Sequence, residues 1–411
     1  MAQLTAALED VLRRERGRVL GGLLRHCGSL DAAEEAFQEA LLRALTVWPE
    51  RGIPENPAAW LTTVAKNQAR DARKHRGVTE AKASELALDG EASTPPDGIE
   101  TVSDDQLRLI FACCHPELSR ESQVALTLKL LAGFSTEELA RAFLCPEPTM
   151  AQRIVRAKRA IDDKRLAYSA PERSELHERI QAVLAVVYLI FNEGHVASRG
   201  AELTRVDLQA EALRLARLLG ELLPRESEVF GLLALIAFSA ARAGTRTGDD
   251  GELRLLSEQD RSRWSVPLIK EGLLALQRAR TLSESAGAAG SYTLQAEISA
   301  CHATAESWQA TPWARIVRCY DALLAIQASP VVALNRAIAV SMVQGPEAAL
   351  ALLEPLREPL ARYHIFYATR ADFLRQLGRD ARADYERAID LAQNEAERAF
   401  LKRKLSALLS A

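Results

Sequence analysis

The stretch GFSTEELARAFLCPEPTMAQRIVRAKRAI, residues 133–161, determines the fold of one domain. Ser135 followed by Glu138 forms a capping box, which begins a short helix. A tight connection with two prolines follows, and a second helix begins at about Thr149. Two short helices joined by a small turn, the second of them basic, are typical of a helix-turn-helix.

A second basic helix is predicted upstream, in NPAAWLTTVAKNQARDARKHR, residues 56–76. Asn56 is a good N-cap, and Pro57 suits the first helical position. The helix begins with an apolar face and ends in a run of Lys, Arg and His. The apolar face comprises Trp60, Leu61 and Val64. Taken alone, this gradient also fits an ordinary solvated amphipathic helix.

Charge is distributed along the first part of the chain in three blocks. Residues 60–76 and residues 153–165 each carry a net charge of +4, whereas residues 77–105 carry −7. The whole chain carries only −3, so its charge has to be interpreted locally. Residues 77–103 lack a sustained apolar face and contain Pro95-Pro96, so we predict an acidic, at least partly mobile linker there.

Composition indicates a globular chain of several domains. The protein has 411 residues, of which 48% are hydrophobic and 26% charged. Ala, Leu, Arg and Glu dominate every segment, which predicts an all-α fold. The N-terminus lacks the pattern of a signal peptide, and apolar runs such as the one around Phe238 look too short to span a bilayer. We therefore expect a cytoplasmic protein without a membrane contact.

Internal repeats are predicted in the C-terminal half. Gly345 and Gly378 lie 33 residues apart, and each ends one helix and begins another. Three triplets fit the A-x3-[FY]-x2-A core of a tetratricopeptide repeat. They are Ile316, Tyr320 and Leu323; Ala349, Leu353 and Leu356; and Ala381, Tyr385 and Ala388. Generic helical hairpins remain an alternative, because such repeats are degenerate. Stacked repeats form a concave surface that suits protein or peptide binding.

Catalytic and metal-binding patterns are absent from the sequence. Its six cysteines form no CxxC pair, and Cys113, Cys114 and His115 lack a second ligand pair at metal-site spacing. The run FNEGH places Glu193 near His195, but no phosphate loop, HExxH or GxSxG accompanies it. We predict no catalytic residue, no metal, no cofactor and no enzymatic activity.

These motifs together resemble an extracytoplasmic-function (ECF) sigma factor of the sigma-70 family. Residues 56–76 match the W-L-x3-A-x-N-x3-D-x-[RK]-[RK] pattern of the reader of the minus-10 promoter element, and residues 120–161 resemble the reader of the minus-35 element. The run AAEEAFQEALLRAL resembles the family's acidic-Gln segment. The rest of the chain is similar to a subgroup with a long helical-repeat extension, on the runs FACCHPEL, AVVYLIFNEGH, DGELRLLSEQDRSRW and SPVVALNRAIAV.

The resemblance implies an all-α chain with two small helical sigma domains, the second a helix-turn-helix, followed by a tetratricopeptide-like repeat domain. The predicted domains are sigma region 2 at 1–76, the acidic linker at 77–103, sigma region 4 at 104–167 and the helical repeats at 168–411.

It also implies the partners and the residues that meet them. Core RNA polymerase is expected to bind through its β′ clamp helices and β flap, and promoter DNA at both elements. The expected polymerase-binding residues are Glu34, Glu35, Gln38 and Glu39. The expected minus-10 residues are Trp60, Asn67, Arg70, Arg73, Lys74 and Arg76. The expected minus-35 residues are Thr149, Gln152, Arg153 and Arg156, with Lys158 and Arg159 on phosphates.

Two roles are left open by the sequence. In the sigma family the segment equivalent to the linker runs through the RNA exit channel, and a strongly acidic strand suits a channel built for a polyanion; an ordinary flexible linker fits as well. The repeats are expected to regulate, either by docking on the sigma domains or by contacting a protein partner such as polymerase. The alternative function is a helix-turn-helix regulator with a ligand- or protein-binding helical domain, which leaves the minus-10 pattern and the acidic linker unexplained.

Overall fold

The computed structural model describes residues 15–80, 105–163, 175–195, 206–248 and 252–409, apart from residues 25, 28 and 144. Within these ranges the chain is helical and has no strand, with one isolated bridge between Thr247 and Leu253. The predicted all-α fold is confirmed. The chain divides into two compact units, Met1–Val186 and Val187–Ala411. Most of the predicted linker lies outside the described residues, and the predicted domain limits stay predictions.

The first unit contains seven helices and the beginning of an eighth in its described ranges. They are α1 (15–24), α2 (Leu30–Arg51), α3 (Pro57–Glu80), α4 (Asp105–Cys113), α5 (Arg120–Leu130), α6 (Thr136–Ala142), α7 (Glu147–Asp163) and α8 (Leu176–His195), in which the division between the units falls. Helices α2 and α3 pack together, and α5, α6 and α7 pack around a second core.

The α2–α3 pair follows from strong helix starts and a shared apolar face. The Oγ of Ser29 accepts a hydrogen bond from the amide of Ala32 at 3.2 Å, which caps α2. Leu61 of α3 is fully buried. Helix α3 continues through Gly77 to Glu80, four residues beyond its predicted end. A glycine inside a helix costs only about 1 kcal/mol relative to Ala, so Gly77 alone does not end it.

The second core of this unit is built around α5, which is buried on nearly all sides. The Nε2 of Gln123 donates hydrogen bonds to the carbonyls of Cys114 at 3.2 Å and His115 at 2.7 Å, after the end of α4. Arg179 of α8 donates to the carbonyl of Phe111 at 2.8 Å. Because these carbonyls have no partner within α4, the two side chains complete its C-terminus. The beginning of α8 therefore packs onto the core built around α5, although it lies beyond residue 167.

The second unit is a succession of helices, most of which pack on the next. They are α9 (Val206–Leu222), α10 (Ser227–Ala241), α11 (Val266–Ala286), α12 (Ser291–Thr304), α13 (Trp313–Ile326), α14 (Pro330–Gln344), α15 (Pro346–Leu353), α16 (His364–Gln376), α17 (Arg382–Leu391) and α18 (Glu395–Leu409).

Helix α10 is the apolar centre of the second unit. The stretch Ser227–Thr245, which adds a short 3-10 turn to α10, has 19 residues and contains an 18-residue window with a mean hydropathy of 1.4. By length and composition alone this stretch could cross a membrane, so the shortness of the apolar run near Phe238 does not decide the question by itself. Within the structure 67% of it is buried, and α9, α11 and α12 pack against it. Burial on three sides is what the core helix of a globular domain shows.

The C-terminal repeat pattern has a structural basis at its glycines. Gly345 and Gly378 have φ angles of 87° and 67°, which favour glycine, and each lies between two successive helices. Most residues of the predicted triplets are buried. Leu356 is an exception and only half-buried, because α15 has only eight residues and a 3-10 turn over Glu354–Leu356 follows it.

Candidate nucleic-acid and polymerase interface

Helices α6 and α7 form the predicted helix-turn-helix. The amide of Ser135 donates to Glu138 Oε2 at 2.7 Å, and the amide of Glu138 donates to Ser135 Oγ at 3.0 Å, so the capping box is confirmed. The connection is closed by a hydrogen bond from the amide of Cys145 to the carbonyl of Ala140 at 3.0 Å. Helix α7 begins at Glu147, two residues before its predicted start.

Helix α7 has one buried face and one solvent face. The buried residues follow helical spacing and are Met150, Ile154, Ala157 and Ile161. These side chains fix the helix against α5 and α6. The predicted minus-35 residues Thr149, Gln152, Arg156 and Arg159 are all exposed on the remaining surface, and Arg153 is half-buried. An anchored helix with an outward Gln and Arg face has the geometry of a major-groove reader.

Lys158 differs from the other predicted minus-35 residues because it is not free to meet DNA here. Its Nζ contacts Asp31 Oδ1 at 2.9 Å and also contacts Glu34 Oε2. Only 13% of the side chain is exposed. Both acids lie in the first turns of α2, which belongs to the other predicted sigma domain.

Helix α3 carries the predicted minus-10 residues. The Oδ1 of Asn56 accepts a hydrogen bond from the amide of Ala59 at 3.0 Å, so Asn56 caps the helix as predicted. The ring of Trp60 is half-buried and lies edge-on against Trp48, with centroids 5.4 Å apart. Asn67 and Arg70 are exposed further along the helix. The backbone of α3 continues through the other predicted residues, Arg73, Lys74 and Arg76, whose side chains lie outside the described part.

The predicted polymerase-binding residues on α2 divide into two groups. Glu35, Gln38 and Glu39 are exposed. Glu34 is buried, because its carboxylate accepts a hydrogen bond from Arg16 at 2.9 Å and contacts Lys158. Three of the four predicted polymerase-binding residues are therefore accessible at the surface, and the fourth, Glu34, is buried.

Two apolar residues of this face were missed by the sequence analysis. Leu42 is 65% exposed and Leu45 is 46% exposed, although both lie on a helix whose other Leu side chains are more buried. Both lie within two turns of Gln38 on the same side of the helix. An exposed apolar strip beside polar side chains is typical of a protein-binding surface. The available signal was that Leu42 and Leu45 fall outside the buried period of α2.

Electrostatics explain how Glu34 can remain buried. Burial lowers the pKa of the Arg16 guanidinium, although Glu34 opposes the shift. Burial also disfavours charge on Lys158, but Glu34 and Asp31 outweigh it and raise the pKa of its ammonium group. A buried carboxylate between two cations is stable only while both are present.

The cysteines near the helix-turn-helix are structural in this fold. Cys113 and Cys114 are buried, and the Sγ of Cys114 lies 3.6 Å from Thr127 Oγ1. Burial raises the pKa of the Cys114 thiol to about 12. The Nδ1 of His115 accepts a hydrogen bond from the amide of Glu117 at 3.2 Å. Among the described residues no group of three or more His, Cys, Asp or Glu side chains is placed to hold a metal ion.

The second unit contains two concave features. An open groove of about 500 Å³ lies between α10 and α11, and its wall includes Phe230, Pro267 and the exposed Leu274. A cavity of about 30 Å³, lined by Arg242, Trp264 and His302, has room for about two water molecules. No sequence motif predicted either feature, because each depends on how the helices pack against one another and not on a local pattern.

Comparison with protein families matches three segments of the chain. Residues 11–78 match "Sigma-70 region 2" and residues 108–161 match "Sigma-70, region 4". Residues 179–280 match a "Family of unknown function (DUF6596)". The two sigma segments contain α3 and the α6–α7 pair, which were predicted as the readers of the two promoter elements.

Comparison with curated proteins finds relatives of two kinds. An "Uncharacterized protein R00370" of Rhizobium meliloti is 42% identical over 98% of this chain and 96% of its own length. The "RNA polymerase sigma factor CarQ" of Myxococcus xanthus is 32% identical over 32% of this chain and 74% of its own. The "ECF RNA polymerase sigma-E factor" of Escherichia coli K12 is 30% identical over 33% and 72%.

No solved structure matches the chain. The relatives named as sigma factors cover only about a third of it, whereas the helical remainder is shared with the Rhizobium protein and, in part, with the family of unknown function. On the two sigma domains and these relatives, the chain belongs to the ECF sigma-factor family of RNA polymerase.

Proposed function

We propose that this protein binds core RNA polymerase and directs it to specific promoters, and that its C-terminal repeats modulate this activity. The observation that carries the proposal is the solvent face of α7. Thr149, Gln152, Arg156 and Arg159 are exposed there, while Met150 and Ile154 anchor the helix from behind. Arg or Gln against a base edge contributes about 1–3 kcal/mol of discrimination, which suits a reader of the minus-35 element.

Helix α3 supports the second promoter contact. Its exposed Asn67 and Arg70 suit hydrogen bonds to bases, and Arg73, Lys74 and Arg76 on later turns suit the phosphates of the same strand. Opening the minus-10 strand costs a few kcal/mol per unstacked base, so it needs compensation from the protein and polymerase. We assign Trp60 at least partly to packing, since it contacts Trp48.

Polymerase contact is proposed at the exposed face of α2. Glu35, Gln38 and Glu39 supply polar groups, and Leu42 and Leu45 supply apolar area beside them. We assign the clamp helices of the β′ subunit to this face, and the β flap to the sigma region 4 core. The acidic linker is assigned to the RNA exit channel, where its net charge of −7 over residues 77–105 matches a path built for RNA. No catalytic role is assigned to this chain, because the polymerase supplies the chemistry.

Binding of purified core polymerase tests the proposal against an ordinary DNA-binding regulator. We expect the full chain to co-migrate with core polymerase, and Leu42→Asp to abolish this while the fold is retained. The matched control is Arg43→Glu, because Arg43 is exposed on an adjacent face of the same helix. A chain that binds duplex promoter DNA tightly without polymerase, and does not bind polymerase, would contradict the proposal.

The role of the C-terminal repeats needs a truncation that leaves the sigma domains intact. Because Arg179 of α8 completes the C-terminus of α4, a cut at residue 167 would damage sigma region 4 itself. We therefore place the cut after residue 195 and compare promoter-specific run-off transcription with that of the full chain. Equal activity at all polymerase concentrations would contradict a modulating role.

A further inference from the structure

The two sigma domains are joined within the first unit by a cluster of polar contacts, which we call the α2–α7 latch. It consists of Asp31 and Glu34 on α2, Lys158 and Asp162 on α7, and Arg16 on α1. Lys158 contacts both acids on α2. In the opposite direction, the amide of Leu30 donates to Asp162 Oδ1 at 3.2 Å. Arg16 holds the other oxygen of Glu34 at 2.9 Å.

Burial distinguishes the centre of the latch from a surface ion pair. The exposed fraction is 8% for the side chain of Glu34, 12% for Arg16 and 13% for Lys158. Asp31 is 72% exposed and adds a weaker, solvent-screened contact. These three desolvated charges remain paired only while the two domains stay together. A buried charge that loses its partner destabilises the fold.

A second contact between the same domains lies at Gly21, where the backbones are too close to admit a side chain. A Cβ at Gly21 of α1 would lie 2.5 Å from the carbonyl oxygen of Asp105, just inside α4. The backbone of α1 therefore lies directly against the start of the sigma region 4 core. Because α1 and α2 both contact this core, the closed arrangement rests on two separate contacts.

In the closed arrangement the two sigma domains are too close together to contact both promoter elements at once, as the proposed function requires. The two promoter elements are named for positions about 25 base pairs apart, which is on the order of 80 Å along B-DNA. A compact unit of 186 residues is roughly 40 Å across. The 24 residues between 80 and 105 reach up to about 80 Å when extended, so the chain can separate the two domains.

We propose that the α2–α7 latch holds the free protein in an autoinhibited state, which polymerase opens by taking α2. In the closed state Glu34 is withheld from polymerase and Lys158 is withheld from the DNA phosphates. Opening releases both together, so one event makes the protein competent for its two partners. The inference rests on the proposed function for its meaning, but the closed state can be measured in the free protein.

Energy transfer between two labels tests the latch directly. Fluorophores are attached through non-canonical amino acids at Arg43 on α2 and Val155 on α7, both exposed, so that the native cysteines stay unlabelled. We expect high transfer efficiency in the free full-length protein, and a loss of at least half when core polymerase is added. Low efficiency in the free protein would overturn the proposal.

Two variants and one control assign the closed state to the latch. Asp31→Lys repels Lys158 while leaving every residue assigned to polymerase or DNA unchanged, and it should lower transfer without polymerase. Lys158→Met, which removes the latch from the other side, should do the same if Asp31→Lys weakens the first turn of α2. Glu50→Lys makes the same charge change about 28 Å further along α2 and should leave transfer unchanged. High transfer in both latch variants, with circular dichroism unchanged, would overturn the proposal.

Affinity for core polymerase separates the failure of the latch from the failure of the proposed function. Because a closed fraction lowers apparent affinity, Asp31→Lys should bind core polymerase about fivefold more tightly than the wild-type chain. Equal affinity would overturn the autoinhibitory role of the latch. If neither the wild-type chain nor Asp31→Lys binds core polymerase, the proposed function is contradicted. Energy transfer between the two labels would still measure the closed state in that case.

Discussion

Two carboxylates in this molecule each lie between two cations, and they differ in what the cations join. Glu34 lies between Arg16 and Lys158, which are separated from it by 18 and 124 positions in the sequence. Glu297 lies between Arg280 and Arg315, which belong to the helices on either side of its own.

The two clusters also differ in how deeply their cations are buried. The two carboxylates are similarly buried, at 8% and 12% exposure. The cations around Glu34 are 12% and 13% exposed, whereas those around Glu297 are 43% and 48% exposed. The Glu297 cluster therefore braces three successive helices of one stack, and the Glu34 cluster fastens together two domains that the proposed function has to separate.

Glu34→Gln should give the largest effect on stability. Removing the charge leaves the buried Arg16 without its partner and leaves Lys158 with only the exposed Asp31, and we expect the first unit to lose about 3 kcal/mol of stability. Urea denaturation followed by hydrogen exchange of α2 and α7 amides measures the loss. A change below about 1 kcal/mol would mean that the Glu34 carboxylate is solvated, contrary to its place in the latch.

Acidification should destabilise the second unit through His302, because the imidazole of this residue lies near two cations, Arg242 and Arg261. Burial lowers the pKa of its imidazole to about 4, and Arg242 and Arg261 contribute. The unfolded chain binds the proton at pH 6.5 and below, so stability present above pH 6.5 is lost as the pH falls toward 4. The loss is up to about 3 kcal/mol. His302→Phe should flatten this part of the stability–pH curve of the second unit; an unchanged slope would contradict the assignment.

Glu297→Gln should lower the free energy of unfolding by about 1 kcal/mol, less than Glu34→Gln does. The reason is that the cations around Glu297 are about half exposed to solvent. Burial opposes charge on Glu297, but Arg280 and Arg315 outweigh it and lower its pKa. The carboxylate therefore stabilises the fold above its unfolded pKa, and this is lost as the pH falls below that range. Thermal unfolding in low and high salt measures the cost. A cost equal to that of Glu34→Gln would remove the distinction between the two clusters.

Salt dependence gives the smallest effect and tests the solvent face of α7. Each phosphate contact that is lost should reduce the slope of log affinity against log salt by about 1. Arg159→Ala should therefore lower the slope of promoter binding by the holoenzyme, and Arg263→Ala, an exposed arginine of the second unit, should leave it unchanged. An identical slope for both variants would remove Arg159 from the interface.

Local patterns predicted the elements of this fold well. The Ser135–Glu138 capping box, the cap at Asn56 and the glycines between the C-terminal helices are all present, because each depends on residues only a few positions apart. Predicted helix ends were less accurate, as the continuation of α3 through Gly77 shows. The apolar run around Phe238 did not predict which helices pack against α10, since composition cannot say which neighbours will cover an apolar helix.

The candidate site could be predicted only where a side chain faces solvent. The exposed Gln152 and Arg156 of α7 follow from helical spacing against its buried residues. The burial of Glu34 and Lys158 does not, because they lie 124 positions apart in sequence and no local pattern pairs them. A charged residue in a family motif can therefore be buried in a charge pair within the protein, and the motif alone does not show this.

Run-off transcription with reconstituted core polymerase on the region upstream of this protein's own gene tests the central claim most directly. With the wild-type chain the account predicts a transcript that core polymerase alone does not make. The double variant Arg73→Glu, Lys74→Glu should abolish that transcript while the variant still folds and still binds core polymerase. An undiminished transcript from this folded, polymerase-bound variant would contradict the account.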